Sequence, residues 1–88
     1  MGIETGDMVK RTQGSSWIGL VLDIRTDPYQ PYKIAWAQKS EGRYINFIIV
    51  KEDERFLGKY VVHPSVKEQF YKELIETELM DDVLGPPP

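Results

Sequence analysis

The chain of 88 residues contains no cysteine, so neither a disulfide nor a thiolate zinc site can reinforce its core. Histidine occurs once, as His63, and one imidazole with no thiol beside it does not build a usual zinc site. The sequence has no G-x-S-x-G, no P-loop and no H-E-x-x-H. We therefore expect no enzyme, no metal and no cofactor. Long apolar runs are missing too. Runs such as Phe47–Val50 fall far short of the roughly 20 residues of a membrane span. Met1–Asp7 lacks the basic stretch and apolar run of a secretory signal, and Gly6 stands where myristoylation needs Ser or Thr. These absences lead to the expectation of a soluble, cytoplasmic protein with no membrane partner.

A basic excess is also lacking. The formal net charge is −3. Residues 1–62 hold nine Lys/Arg and eight Asp/Glu, while residues 63–88 hold two Lys and six acids. The acidity belongs to the C-terminal segment. Nucleic-acid binders draw most of their affinity from phosphate neutralisation, so a near-neutral body weighs against such a partner. A chain this short buries only roughly 60–65% of its unfolded surface, so the core must be small.

What is present is alternation. Asp7–Thr12 reads as a first strand and Gln13–Ser16 as a turn. In Trp17–Arg25, Ile18, Leu20, Leu22 and Ile24 share one face, and Gly19 inside the run signals a bulge or a close backbone approach. Pro28 and Pro31 mark the next loop. In Tyr32–Ala37, Tyr32, Ile34 and Trp36 share a face, and Gln38–Gly42 reads as a hairpin loop. Arg43–Val50 reads as a strand whose unbroken apolar end suggests burial on both faces. Lys51–Arg55 reads as a charged turn, Phe56–Leu57 as the start of a short element and Lys59–Val62 as a last strand.

The end changes character. Pro64–Met80 has helical periodicity, with Ser65 as N-cap and Glu68 completing an S-x-x-E capping box. Val66, Phe70 and Leu74 form one ridge, and Tyr71, Ile75 and Leu79 form a second beside it. Together they make an apolar face broader than a single packing stripe requires. Gly85–Pro88 ends the chain as a proline-rich stretch.

Three pieces in order carry a resemblance. Gly6-Asp7-Met8-Val9, then Ile18–Ile24, then Tyr32-Lys33-Ile34-Ala35-Trp36 resemble the SH3-like small-barrel pattern of Tudor-type and KOW-type domains, G-D-x-V, G-x-V-x-x-I and Y-x-V-x-W. The chain is also similar to the short SH3-like proteins encoded by tailed phages. The likeness covers residues 6–50, and the pattern's middle valine falls at Leu20 or Val21. It implies a mainly β protein: an SH3-like small barrel of about five strands over residues 1–62, one C-terminal amphipathic helix over 63–82, and a tail over 83–88. In Tudor-type members an aromatic cage reads methylated side chains, and Trp17, Tyr32, Trp36 and Tyr44 are the rings available here.

Few residues advertise chemistry. His63, at the strand-to-helix junction, is weighted towards a backbone-bonded or solvated hinge rather than a general base. Glu52-Asp53-Glu54 lacks the alternating ligands and glycine of a calcium loop, and Asp81–Asp82 reads as a helix end. Aromatic side chains bury large area at low entropic cost, which makes Trp17 and Tyr29 interface candidates. The second helical ridge adds Tyr71, Ile75 and Leu79. These five define the expected surface for a protein partner or for self-association. The expectation is thus a non-catalytic interaction module, by resemblance a phage accessory or virion-associated protein docking on a larger assembly or a host protein. The alternative is a KOW- or Tudor-like nucleic-acid accessory using Lys10, Arg11, Lys39 and Arg43.

Overall fold

The computed structural model describes residues 2–77. Five antiparallel strands form one sheet: β1 (Met8–Arg11), β2 (Ile18–Ile24), β3 (Tyr32–Ser40), β4 (Arg43–Glu52) and β5 (Leu57–Lys59). One helix follows, α1 (Pro64–Glu76). The strand order is β4-β3-β2-β1-β5, so β4 and β5 are the edges and do not pair with each other. The mainly β architecture with a C-terminal helix is as expected; the closed barrel is not formed.

The sheet is nevertheless strongly curled. In a flat sheet its two edges would lie four spacings apart, about 19 Å. Yet β4 ends at Glu52 and β5 begins at Leu57, and a 3-10 turn (Glu54–Phe56) fills the gap. Five extended steps span at most roughly 17 Å, and a 3-10 turn rises only about 2 Å per residue. Such a link joins the edges only if they bend towards each other. The ion pair between Arg11 on β1 and Glu52 on β4, 2.9 Å, shows the same approach across three strand spacings.

Curling gives the sheet two buried faces. On one, Val9, Val21, Tyr32, Ile34, Trp36 and Leu57 pack together with Ile3, and among the described residues no helix covers them. On the other, Met8, Ile18, Leu20, Ala35, Ala37 and Tyr44 meet Phe70 and Leu74 of α1. The alternation in β2 and β3 sorts residues between these faces. Trp36 is fully buried, and it packs directly over Gly19: a Cβ there would lie 2.9 Å from two of its ring carbons. Gly19 therefore serves close approach, not a bulge.

Two bulges interrupt the ladders elsewhere. Pairing shifts between Val21 and Asp23, and again opposite Trp36–Gln38, where β4 carries an extra residue. Asn46 marks the second, with φ 59° and its Nδ2 donating to Gln38 Oε1 at 2.9 Å. Asn tolerates this left-handed conformation better than the β-branched residues around it. The β3–β4 hairpin is tighter than the sequence suggested. β3 runs to Ser40, and only Glu41 and Gly42, both with positive φ, form the turn.

The last strand and the helix cap also depart from expectation. β5 occupies Leu57–Lys59 rather than 59–62, because the turn before it is shortened. Asp53 accepts the Arg55 N–H, and Phe56 N–H donates to the Asp53 carbonyl. The N-cap of α1 is His63, not Ser65. Pro64 takes the first helical position, where its fixed φ suits the turn and its missing N–H costs nothing. The cap role therefore moves one residue upstream of the proline. His63 Nδ1 accepts the Ser65 N–H at 3.1 Å, so the S-x-x-E box is not used. At its other end α1 stops at Glu76, and residues 78–80 of the expected helix lie outside the described residues. Thr77 is extended, and its N–H and hydroxyl both donate to the Leu74 carbonyl. No helix among the described residues is long and apolar enough to cross a membrane.

Candidate binding groove

Helix α1 settles on the sheet through its first ridge. Phe70 and Leu74 are fully buried, and Phe70 meets the rings of Tyr44 at 5.0 Å and Phe47 at 5.2 Å, both edge-on. Burying each such side chain is worth roughly 1.5–3 kcal/mol. Polar contacts then fix the helix along its length. Gln69 donates to the Gly42 carbonyl at 2.8 Å, Tyr44 N–H donates to Glu73 Oε1 at 3.2 Å, and Lys67 Nζ donates to the Gly6 carbonyl at 3.0 Å.

The Lys67–Gly6 contact shapes the surface. Residues 4–7 form a turn in which Asp7 Oδ2 accepts the Glu4 N–H at 2.8 Å, and Gly6 takes φ 91°. Gly6 N–H donates to the Val21 carbonyl and Val21 N–H to the Asp7 carbonyl, each at 2.9 Å, so this turn is tied to β2. Lys67 reaches across to it from α1. On one side of that bridge lies a groove of about 390 Å³, floored by Leu20 and Leu22 and walled by Thr5, Gly6, Pro64, Glu68 and Tyr71. On the other side a cleft of about 280 Å³ lies between Asp7, Lys59, Tyr60 and Val62, with Lys59 Nζ 3.5 Å from Asp7 Oδ2. The first groove is mainly apolar, with the charges of Lys67 and Glu68 at its rim. Such a lining, concave and apolar with few polar groups, suits an apolar segment of a partner.

Of the expected interface residues, Tyr71 lines this groove and is 39% exposed. Ile75 lies one turn further along the same ridge and is half-buried. Leu79 falls outside the described residues. Trp17 is half-buried against the Trp36 cluster on the other face, its N–H donating to Ser15 Oγ. Tyr29 is 78% exposed on the loop after β2, where Asp27 Oδ1 accepts the N–H groups of Tyr29 and Gln30. Those two bonds, Gln30's first, hold the Asp27 carboxyl below its ordinary range. The structure thus places Tyr71 in the groove and Ile75 outside its lining, and leaves Trp17 and Tyr29 apart. Leu20, Leu22, Gly6 and Lys67 are groove residues that the sequence did not mark. Their alternation reads as core, and only the placement of α1 leaves them beside a gap.

The four rings of the implied cage do not converge. Tyr32 and Trp36 are buried in one cluster and Tyr44 in the other, on opposite sides of the sheet. Burial raises the hydroxyl pKa of Tyr44, with Tyr60 and Glu73 adding to it, and likewise that of Tyr32, with Glu54 adding.

The four cations are also dispersed. Arg11 stacks over Trp36 at 5.0 Å and pairs with Glu52, while Lys10 lies over Tyr60 at 4.9 Å on the helix side. Lys39 lies over Tyr44 at 5.7 Å, and Arg43 approaches Glu73 at 3.6 Å. Within the carboxylate run, Glu52 pairs with Arg11, and Asp53 caps the 3-10 turn through the Arg55 N–H and side chain, which lower its pKa. Among the described residues no group of three or more His, Asp or Glu is placed to hold a metal ion.

No protein-family model, curated protein or solved structure matches this chain.

Proposed function

We propose that this chain is a non-catalytic protein-interaction module that holds an apolar segment of a partner protein in the groove between α1 and β2. The observation that carries this reading is the unfilled half of the helix. One ridge, Phe70 and Leu74, is sealed against the sheet, while Tyr71 on the next ridge stays 39% exposed beside an apolar groove. A tyrosine there buries large area at little entropic cost, as interface anchors do. Leu20 and Leu22 supply the floor, and the bridge from Lys67 to the Gly6 carbonyl keeps the walls in place.

The strand order, with β5 returning beside β1 and a 3-10 turn before it, supports the SH3-like reading of residues 6–50. On that resemblance to the short SH3-like proteins of tailed phages, the partner is a virion component or a host protein, and the module works in the infected cell's cytoplasm. The nucleic-acid reading has less behind it. Arg11 faces the Trp36 side, Lys10 and Lys39 face the helix side, Arg43 reaches Glu73 from the end of the β3–β4 hairpin, and each lies against an aromatic ring or a carboxylate of its own chain.

The test is a photo-reactive phenylalanine in place of Tyr71, and separately of Tyr29, in the full chain incubated with extract of its source. A protein cross-linked from position 71, and not captured by the Tyr71→Asp variant, is the expected result. Equal capture by Tyr71→Asp, or binding of duplex DNA or RNA that weakens steeply with salt, would overturn the reading.

A further inference from the structure

Two recesses meet at one lysine. Lys67, Gly6 and Pro64 line both the apolar groove beside Tyr71 and the cleft of about 280 Å³ next to it. The two differ in chemistry. Leu20 and Leu22 floor the groove, whereas the cleft gathers Lys59, Lys67 and one acid, Asp7. The chain carries a net charge of −3, so this cationic recess runs against its overall sign.

The cations of the cleft are poorly neutralised. Asp7 Oδ2 already accepts the Glu4 N–H at 2.8 Å, and Lys59 Nζ stands 3.5 Å from it. Lys67 pairs with no carboxylate among the described residues. It donates to the Gly6 carbonyl at 3.0 Å, which holds the ammonium at the boundary of the two recesses. An ammonium has three N–H donors, so two are left for another acceptor. The first turn of α1 contains no acidic residue to meet them. Lys10, over the Tyr60 ring that lines the cleft, adds a further positive charge. Glu68 lines the groove and not the cleft.

We propose that the partner segment held in the groove carries an Asp or Glu close to its apolar anchor, and that this carboxylate enters the cleft between Lys67 and Lys59. The inference rests on the reading of the groove as a docking site. Sign selects an anion, because the cleft holds two ammonium groups against one engaged carboxylate. It contains no arginine, whose planar fork favours bidentate recognition of phosphate, and a singly charged carboxylate balances the excess. Complementary charge across an interface fixes register more than it adds affinity. Here the acid is favoured in the cleft and repelled by Glu68 at the rim of the groove, so the segment has one preferred direction across Lys67.

Selection of a random peptide library on the immobilised full chain tests this. The selected peptides are expected to pair a large apolar residue with Asp or Glu at a constant spacing. Lys59→Glu reverses a charge of the cleft without altering the lining of the groove. Against that variant, selection should keep the apolar residue and lose the acid. Lys59→Gln should give the same change in smaller measure, and Lys59→Arg should keep both residues. For the best peptide, exchanging the acid for its amide should weaken binding to the native chain about three- to tenfold, read by fluorescence anisotropy at low salt. Binding to Lys59→Glu should then change by less than about twofold. Peptides that are lost with Tyr71→Asp but show no acidic preference, or one that Lys59→Glu and Lys59→Gln leave intact, would overturn the proposal and leave the docking reading standing. Peptides that bind Tyr71→Asp equally well, or no selected peptide at all, would overturn that reading and the proposal with it.

Discussion

Gly19→Ala is the smallest change that reaches the centre of this fold. The new methyl would sit 2.8 Å from Ile34 Cγ2 and 2.9 Å from Trp36 Cε3 and Cζ3. Both neighbours are fully buried, and neither atom is the loose end of a flexible side chain. Ile34 branches at the backbone, and the indole fills its site, so the strand must shift. Overpacking of this kind costs about 1–3 kcal/mol. Against it stands a gain of about 0.4–1 kcal/mol from the lower entropy of an unfolded chain with alanine. The net loss should be about 1–2 kcal/mol, a fall in Tm of roughly 5–15 °C for a domain of this size. Gly58→Ala is the control. Its Cβ would meet only Thr12 Cγ2, at an ordinary 3.9 Å, so the same substitution there should be neutral or slightly stabilising. Thermal melts of the three proteins, followed by circular dichroism, decide the matter. A Gly19→Ala protein that melts at or above the Gly58→Ala protein would refute the packing of Trp36 over Gly19.

Phe70→Ala should cost about 3–5 kcal/mol in urea denaturation, because it empties the site between Tyr44 and Phe47. His63→Ala should cost about 0.5–2 kcal/mol through loss of the helix cap, whereas Ser65→Ala should cost clearly less; the reverse order would restore the S-x-x-E cap. Alkaline pH should destabilise the fold. Burial raises the pKa of Tyr32 and Tyr44 above the ordinary value of 10.0, so their contribution is complete below about pH 10. Above that the unfolded chain ionises first, and stability falls until the folded pKa values are passed. Tyr44→Phe should reduce this alkaline loss, as read from melts at increasing pH.

Part of this structure was legible in the sequence, and the rest was not, for identifiable reasons. The runs Ile18–Ile24 and Tyr32–Trp36 alternate cleanly, and alternation is a local property, so β2, β3 and their faces could be read directly. The ridge of Val66, Phe70 and Leu74 is equally local. The bulges at Leu22 and Asn46 are not, since they arise from register against a neighbouring strand. The helix cap was misplaced because Ser65 and Glu68 fit a short pattern that Pro64 overrides. Curling of the sheet follows from the short link between β4 and β5, which has meaning only once the strand order is known. The groove was half legible. Tyr71 stands out as a surplus apolar residue on α1, but Leu20, Leu22 and Gly6 become its floor and wall only when Lys67 ties the helix to the N-terminal turn.

The account's central claim is that α1 seals one ridge and leaves the next open to a partner. Solvent paramagnetic relaxation in the NMR spectrum of the dilute full chain tests it most directly. Protons of the Phe70 ring should be shielded and show contacts to Tyr44 and Phe47, while the Tyr71 ring and the methyl groups of Leu22 should relax strongly. A Tyr71 ring as shielded as that of Phe70 would mean that the chain covers its own groove, and the reading as a docking site would fail.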